Sequence, residues 1–270
     1  MATSDPIHFF DLYSDLPGPS KSWSPNTLKT RAVLNFKGLP YTQSWISYPD
    51  ITPLLSSLSV APNNQGRPYT LPAILHKASI PSNPNGAMMD SLAIAHHLDA
   101  LYPSPSLFPS GKSSVLLFQR VSAIMADLEP GYRPLVVPRV AEHLDPRGQA
   151  YFRETRTKAF GKPFDEIRPT DPETLQEKWE ILSTHTNSMI ALLRGKEEQE
   201  KTGPFFEGDK AGYADLVYAS QLAFIERFDK EFFGRILELG DGEIKALYEA
   251  CVPWLEGAGE DREWVISTSV

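Results

Sequence analysis

The chain has 270 residues, of which 41% are hydrophobic and 11% aromatic, and its formal net charge is -8. This length and composition suffice for one large globular domain or two modest ones. An acidic chain without a dense Lys/Arg block does not favour nucleic acid or an anionic membrane as a partner. No apolar run approaches ~18 residues, and the first residues lack the pattern of a signal peptide. We therefore expect a soluble, cytoplasmic protein that binds neither nucleic acid nor membrane.

Charge is distributed unevenly along the chain. Residues 1–103 contain six Lys or Arg, six Asp and no Glu, so the whole net charge belongs to the remaining residues. The shift coincides with a Ser/Pro-rich stretch. We predict a first domain at 1–103, a linker at 104–112 and a second domain at 113–270.

The first domain shows short strand and helix patterns in alternation. Its first helix begins after Ser24, with Pro25 at the first helical position, and ends near Lys37, before Gly38 and Pro40. The other predicted elements are strands at 7–13, 42–48, 70–77 and 87–89 and helices at 54–58 and 90–103.

The second domain shows helical spacing only. No convincing strand follows Ser113, so we predict an all-helical domain. Its predicted helices lie in the segments 115–130, 147–160, 171–195, 213–228 and 240–255.

Ser24 has two interpretations. Its hydroxyl is well suited to cap the helix by accepting a bond from an orphan amide, and the residues alone favour this role. The same place is the positive end of a helix, where amides and the helix dipole favour an anion such as a thiolate.

Neither metal nor cysteine chemistry is predicted. Cys251 is the only cysteine, which excludes an intramolecular disulfide, and its helix-like surroundings favour a buried structural thiol. The six histidines lack metal-ligand spacing. His96 and His97 are adjacent on a predicted helix and therefore point in different directions, as surface or boundary residues do.

The order of these features resembles the cytosolic glutathione S-transferases. The resemblance rests on the strand and helix order of the first domain, Leu71-Pro72 before the third strand, Asp90-Ser91 at the head of its last helix, and a helical second domain. The linker "YPSPSLFP" and the segments "WSPNTLKTRAVLNFKGLPY" and "PRGQAYFRETRTKAFGKPFDEI" are similar to those of fungal members related to bacterial lignin β-etherases. The resemblance implies a thioredoxin-like first domain that binds glutathione as co-substrate.

The resemblance also implies roles for the residues at the first helix. The residue that activates the sulfur in this family corresponds to Ser24, which would stabilise the glutathione thiolate without acting as a nucleophile. Asn26 is a second candidate donor to the sulfur, and Ser22 is a third.

Two further pairs correspond to glutathione contacts in the family. Leu71 precedes Pro72, which is implied to have a cis peptide bond that turns the Leu71 backbone toward the cysteinyl part of glutathione. Asp90 and Ser91 are implied to hold the γ-glutamyl group, in addition to capping a helix.

Several other positions are less firmly assigned. Trp45, Arg67 and Tyr69 belong to segments near the glutathione groove of relatives, as groove wall or core. Asp215 is expected to be a folding residue that closes the start of a buried helix, although Gly212 stands where Ser or Thr is usual.

An apolar co-substrate pocket is expected in the second domain, around Met125, Leu128, Tyr132 and Pro134. The sequence thus predicts a glutathione transferase acting on a small hydrophobic electrophile, with conjugation, ether cleavage and isomerisation left open. A glutathione-binding or ligand-carrying protein with little turnover is the alternative, and relatives imply a homodimer.

Overall fold

The computed structural model describes residues 6–77, 79–195 and 202–266. A mixed sheet with helices forms the first part of the chain, and a helical domain follows it. The predicted fold class is therefore confirmed.

The sheet of the first domain has five strands in the order β4-β3-β1-β2-β5. All six residues of the central strand β1 are buried. It pairs in parallel with β2, which requires the crossover supplied by α1, and antiparallel with β3. The strands are β1 Ile7–Leu12, β2 Tyr41–Ile46, β3 Ala73–Leu75, β4 Ala87–Met89 and β5 Glu260–Asp261; the helices of this domain are α1 Pro25–Phe36, α2 Ile51–Ser57 and α3 Ser91–Leu101.

Strand β5 was not predicted. It comes from the end of the chain and pairs in parallel with the outer edge of β2, where Thr42 lies opposite Glu260 and Gln43 opposite Asp261. Both residues of β5 are exposed and acidic, so no alternation of apolar residues marks the strand. The strand forms because β2 has a free edge. Since β2 comes from a distant part of the sequence, the residues around Glu260 do not predict the strand by themselves.

The second domain contains six helices within the described residues. The core helix α7 has 14 buried residues and contacts α1, α4 and α9, which joins the two domains. The sequence did not predict α8, a short helix directly after α7. The helices are α4 Lys112–Val136, α5 Pro146–Phe160, α6 Pro172–Arg194, α7 Tyr213–Phe228, α8 Lys230–Leu237 and α9 Glu243–Glu256.

Helix α4 runs past the proline at which the sequence predicted its end. Pro130 removes one backbone hydrogen bond, but the packing of α4 against α6 continues beyond it. A Cβ at Gly131 would lie 2.9 Å from both the Leu182 nitrogen and the Lys178 oxygen, so the two backbones approach closely here. The extra turns carry Tyr132 and Arg133.

The start of α7 is closed by a buried carboxylate. Asp215 accepts hydrogen bonds from the backbone N–H of Gly212 and of Phe206, each at 2.8 Å. This confirms a folding role for Asp215. Across the described ranges, the helices fall short of the length and apolarity that a membrane span needs.

Candidate functional site

A cavity of about 450 Å³ opens between the N-terminal ends of α1 and α3 and the helices α4, α5 and α7. A second cavity, of about 250 Å³, adjoins it on the side of α2 and the Leu71 loop. Five residues line both: Ser24, Asn26, Tyr48, Arg133 and Arg156. The two cavities therefore meet at the start of α1.

Ser24 is the N-cap residue of α1, with Pro25 at the first helical position as predicted. Its carbonyl accepts the Leu28 N–H at 2.9 Å, but its hydroxyl makes no capping bond. The capping role favoured by the residues alone is thus wrong for the side chain. The hydroxyl is left free of bonds to the described residues at the junction of the cavities.

Ser22 and Asn26, the other two candidate donors to the sulfur, lie in different surroundings. Ser22 donates its hydroxyl to Asp11 at 2.6 Å, is buried, and lines neither cavity. Asn26 is exposed, lines both cavities and accepts a bond from Lys29 Nζ at 3.0 Å. The structure thus brings Ser24 and Asn26 together and turns Ser22 away.

The Leu71–Pro72 peptide bond is cis, as the resemblance implied. Leu71 lines the smaller cavity together with Arg67 and Tyr69. Trp45 does not join them: its Nε1 donates to Asp261 on the far side of β2, in a separate cavity. The resemblance placed only its segment near the groove, and the structure puts the Trp45 side chain outside the two adjoining cavities.

Asp90 caps α3 by accepting the Leu92 and Ala93 N–H groups at 2.9 and 3.0 Å. It does so with a positive φ of 81°. Ser91 lines the larger cavity together with Tyr213, a residue that the sequence did not single out. Capping by Asp90 is therefore observed, and Ser91 is the member of the pair that lines the cavity.

The second-domain wall is more polar than expected. Met125 and Tyr132 line the larger cavity as predicted, whereas Leu128 and Pro134 do not, and Leu128 is a core residue. Sequence analysis missed the polar lining residues Lys29, Tyr48, Glu129, Arg133, Arg156 and Gln221. They come from four separate helices and the turn that contains Tyr48, and no local motif links them.

Cationic groups dominate the electrostatics of this region. Burial raises the pKa of Tyr48, and the nearby guanidinium groups of Arg156 and Arg67 oppose that rise. Burial lowers the pKa of Arg156, and repulsion from Arg67 and Arg133 lowers it further. Burial also lowers the pKa of Lys29, against the attraction of Asp90.

The histidines and the single cysteine lie outside the lining of both cavities. The described residues contain no cluster of His, Cys, Asp and Glu that suits a metal ion. Cys251 is completely buried, and burial raises its thiol pKa, as expected for a structural cysteine. His97 contacts the buried His76 at 3.1 Å, so it is a boundary residue in a histidine pair.

Fold and site together define a class of protein by its architecture. A thioredoxin-like sheet with a cis-proline loop is joined to a helical domain that completes a cavity at the start of the first helix, where the Ser24 hydroxyl lies.

Comparison with known proteins supports this assignment. The family model of the glutathione S-transferase N-terminal domain matches residues 23–101, and that of the C-terminal domain matches residues 118–254. The chain is 51% identical over 262 residues to the glutathione S-transferase-like protein ustS of Aspergillus flavus, covering 97% of this chain and 95% of that one. The chain belongs to the glutathione S-transferase family.

Two solved fungal structures are also similar. Glutathione transferase GSTFuA3 of Phanerochaete chrysosporium has 31% identity and a TM-score of 0.78, covering 93% of this chain and 98% of that one. The glutathione S-transferase CsGST63524 of Ceriporiopsis subvermispora, solved in complex with glutathione, has 29% identity and a TM-score of 0.78, covering 92% and 97%.

Proposed function

We propose that the protein binds glutathione, stabilises its thiolate with Ser24, and directs the sulfur at an electrophile held in the larger cavity. The observation that carries this proposal is the free Ser24 hydroxyl at the N-cap of α1, where both cavities meet. The complex of the similar Ceriporiopsis protein with glutathione supports the choice of thiol.

The chemistry follows from the position of Ser24. A free thiol has a pKa of ~8.5, and a hydroxyl donor at a helix N-terminus favours the charged form. The Lys29 ammonium, in the same cavity wall, adds a positive charge. The thiol proton passes to solvent, the thiolate forms a bond to an electrophilic carbon, and the displaced group leaves with the bonding electrons.

The remaining contacts orient the co-substrate. We assign the γ-glutamyl end to Ser91 and the α3 N-terminus capped by Asp90, and the cysteinyl part to the backbone beside Leu71 and Pro72. Asn26 is a second donor near the sulfur. The first domain, 1–103, thus holds glutathione, and the linker 104–112 leads to the co-substrate domain, 113–270, whose end returns to the sheet as β5.

The reaction type depends on the electrophile. Conjugation, ether cleavage and isomerisation share thiolate attack and differ in what leaves the carbon. We propose transfer to a small, largely hydrophobic electrophile, because Phe118, Met125 and Val217 supply apolar lining. We expect a cytoplasmic homodimer, which light scattering and fractionation test.

Calorimetric titration with glutathione, followed by incubation with alkyl halides, aryl ethers and unsaturated carbonyl compounds, tests the proposal. Mass spectrometry separates the outcomes: an S-conjugate, a released phenol with a glutathione thioether, or an isomer with glutathione unchanged. Binding without turnover of any class would instead indicate a glutathione-binding or carrier protein. No glutathione binding would overturn the proposal.

A further inference from the structure

The wall of the larger cavity has more cationic side chains than carboxylates that could neutralise them. Among the described residues, Lys29, Arg133 and Arg156 line the cavity, and Glu129 is the only carboxylate that does so. Glu129 Oε1 lies 2.7 Å from Arg133 Nη1, so that carboxylate is already engaged. The cavity is therefore cationic within a chain of net charge -8.

Arg156 is the least compensated of these cations. Its guanidinium lies 4.0 Å from the Phe152 ring centre and 5.6 Å from that of Tyr48, so two aromatic rings fix its orientation. Its hydrogen bonds go to the Thr155 hydroxyl at 3.0 Å and the Tyr48 hydroxyl at 3.5 Å. No carboxylate among the described residues pairs with it.

A half-buried guanidinium that lies beside two aromatic rings and pairs with no carboxylate among the described residues is arranged to receive an anion. The planar guanidinium matches a carboxylate in geometry, and a charge-assisted bond in such a place is stronger than one between neutral groups. Gln221, on the α7 wall, is 7% exposed, and its amide nitrogen has no partner among the described residues. It adds an unused polar group to the same cavity.

Glutathione does not account for all of these charges. It has two carboxylates, and the proposed binding mode assigns the γ-glutamyl one to Ser91. Arg67, beside Leu71 in the smaller cavity, is placed for the other. Arg156, on α5 of the second domain, lines both cavities, and these two assignments leave it without a carboxylate.

We propose that the co-substrate is an electrophile with an apolar body and a carboxylate, and that Arg156, supported by Arg133, binds this carboxylate. The inference rests on the proposed function, because it assigns a substrate class to the same site. Arg156 is then a specificity-determining residue: it selects the acid over the neutral amide of the same shape.

Binding of two glutathione conjugates tests the proposal without requiring turnover. S-(para-carboxybenzyl)glutathione and S-(para-carbamoylbenzyl)glutathione have the same shape and differ by one charge. By calorimetry, the parent protein should bind the acid about tenfold more tightly or better, as expected for one charge-assisted pair. In Arg156→Met this preference should fall to about twofold or less, when the affinity for each conjugate is compared with that of the same variant for glutathione.

Arg153→Met is the matched control. Arg153 lies on the same helix, also over a phenylalanine ring, and pairs with the exposed Asp165 outside the cavity. Arg153→Met removes the same charge as Arg156→Met, and we expect this variant to retain the full preference for the acid.

Each of the other possible results of these binding measurements would contradict one of the claims made above. Equal affinity of the parent protein for the two conjugates, or no binding of either while glutathione binds, would overturn the substrate class. If Arg156→Met weakens the binding of glutathione and of both conjugates by the same factor, Arg156 binds glutathione and does not select the co-substrate. No binding of glutathione by the parent protein would overturn the proposed function itself.

Discussion

Arg31 on α1 and Asp11 on β1 form an ion pair, with Nη2 and Oδ2 3.0 Å apart and both side chains almost fully buried. The same carboxylate oxygen accepts the Ser22 hydroxyl at 2.6 Å. The guanidinium also donates to Gln43 and to the Gly257 carbonyl. This network ties the segment before Ser24 to the sheet and to the end of the chain.

Asp11→Asn should therefore be strongly destabilising. Removing one partner of a buried ion pair leaves an uncompensated charge and typically costs ~3–5 kcal/mol of unfolding free energy. Urea denaturation measures this loss. Ser22→Ala removes one hydrogen bond to the buried carboxylate and should cost less, ~1.5–3 kcal/mol, with turnover per folded molecule retained. A stable Ser22→Ala protein without turnover would contradict the assignment of Ser24.

Ser91→Ala should weaken the capture of glutathione more than it slows the reaction. Ser91 would contact an end of the co-substrate that is bound similarly in ground and transition states, so KM for glutathione should rise more than kcat falls. Steady-state kinetics with glutathione as the varied substrate measure both.

Tyr213→Phe is the control for Ser91, because Tyr213 lines the same cavity and the change removes a neighbouring hydroxyl while leaving that of Ser91 in place. It should leave KM for glutathione close to the parent value. If both variants raise KM equally, the effect of Ser91→Ala is not specific to the Ser91 hydroxyl.

Asp215→Ala should affect stability and not chemistry. The change leaves the N–H groups of Gly212 and Phe206 without their acceptor in the core, at a cost of ~1–3 kcal/mol. We expect Tm to fall by several degrees and activity per folded molecule, measured well below Tm, to be retained. A normal Tm with lost turnover would show that Asp215 is catalytic.

Gly212→Ser adds a control at the same helix start. Cap preferences alone predict a slight stabilisation, and the φ of -138° accepts any residue. However, a Cβ at this position would lie 3.1 Å from the Leu107 oxygen, which is held by the Tyr213 N–H at 2.8 Å. We therefore expect no stabilisation, and a raised Tm would show that this loop adjusts freely.

His8 should make the protein sensitive to mild acid. Burial, and to a lesser extent Arg262, lower its pKa to about 4. The unfolded chain takes up this proton near pH 6.5 and the folded chain does not, so stability is full above pH 6.5 and falls as the pH drops toward 4. Between pH 7 and 5 the loss should be about 2 kcal/mol.

Urea unfolding at several pH values measures this dependence. In His8→Gln the loss between pH 7 and 5 should be smaller, because the titrating ring is gone while bonds to Thr42 and Ser44 remain possible for the amide. The same pH dependence in both proteins would assign it to other groups.

The sequence predicted those features that depend on neighbouring residues. Ser24-Pro25 marks a helix start by local backbone chemistry, and the order of apolar runs defines β1, α1 and β2. The cis bond before Pro72 was predictable only through the family resemblance, since local propensity favours an ordinary trans proline. The relation of Ser24 to a thiol stays a prediction.

The charged wall of the cavity was not predictable in the same way. Tyr48, Glu129, Arg156 and Gln221 are far apart in the sequence, and each is a common residue type in its own helix or loop. Only the packing of α4, α5 and α7 brings them together. Strand β5 was not predicted for the same reason, because its pairing depends on the free edge of β2.

The pKa of the bound glutathione thiol tests the central claim most directly. It is measured by titrating the ultraviolet absorbance of the thiolate in the binary complex, for the parent protein, Ser24→Ala and Asn26→Ala. We predict a pKa clearly below the free value of ~8.5 in the parent and a value closer to the free one in Ser24→Ala, with a smaller change in Asn26→Ala. An unshifted thiol in the parent complex, or the same lowered pKa with and without the Ser24 hydroxyl, would contradict the account.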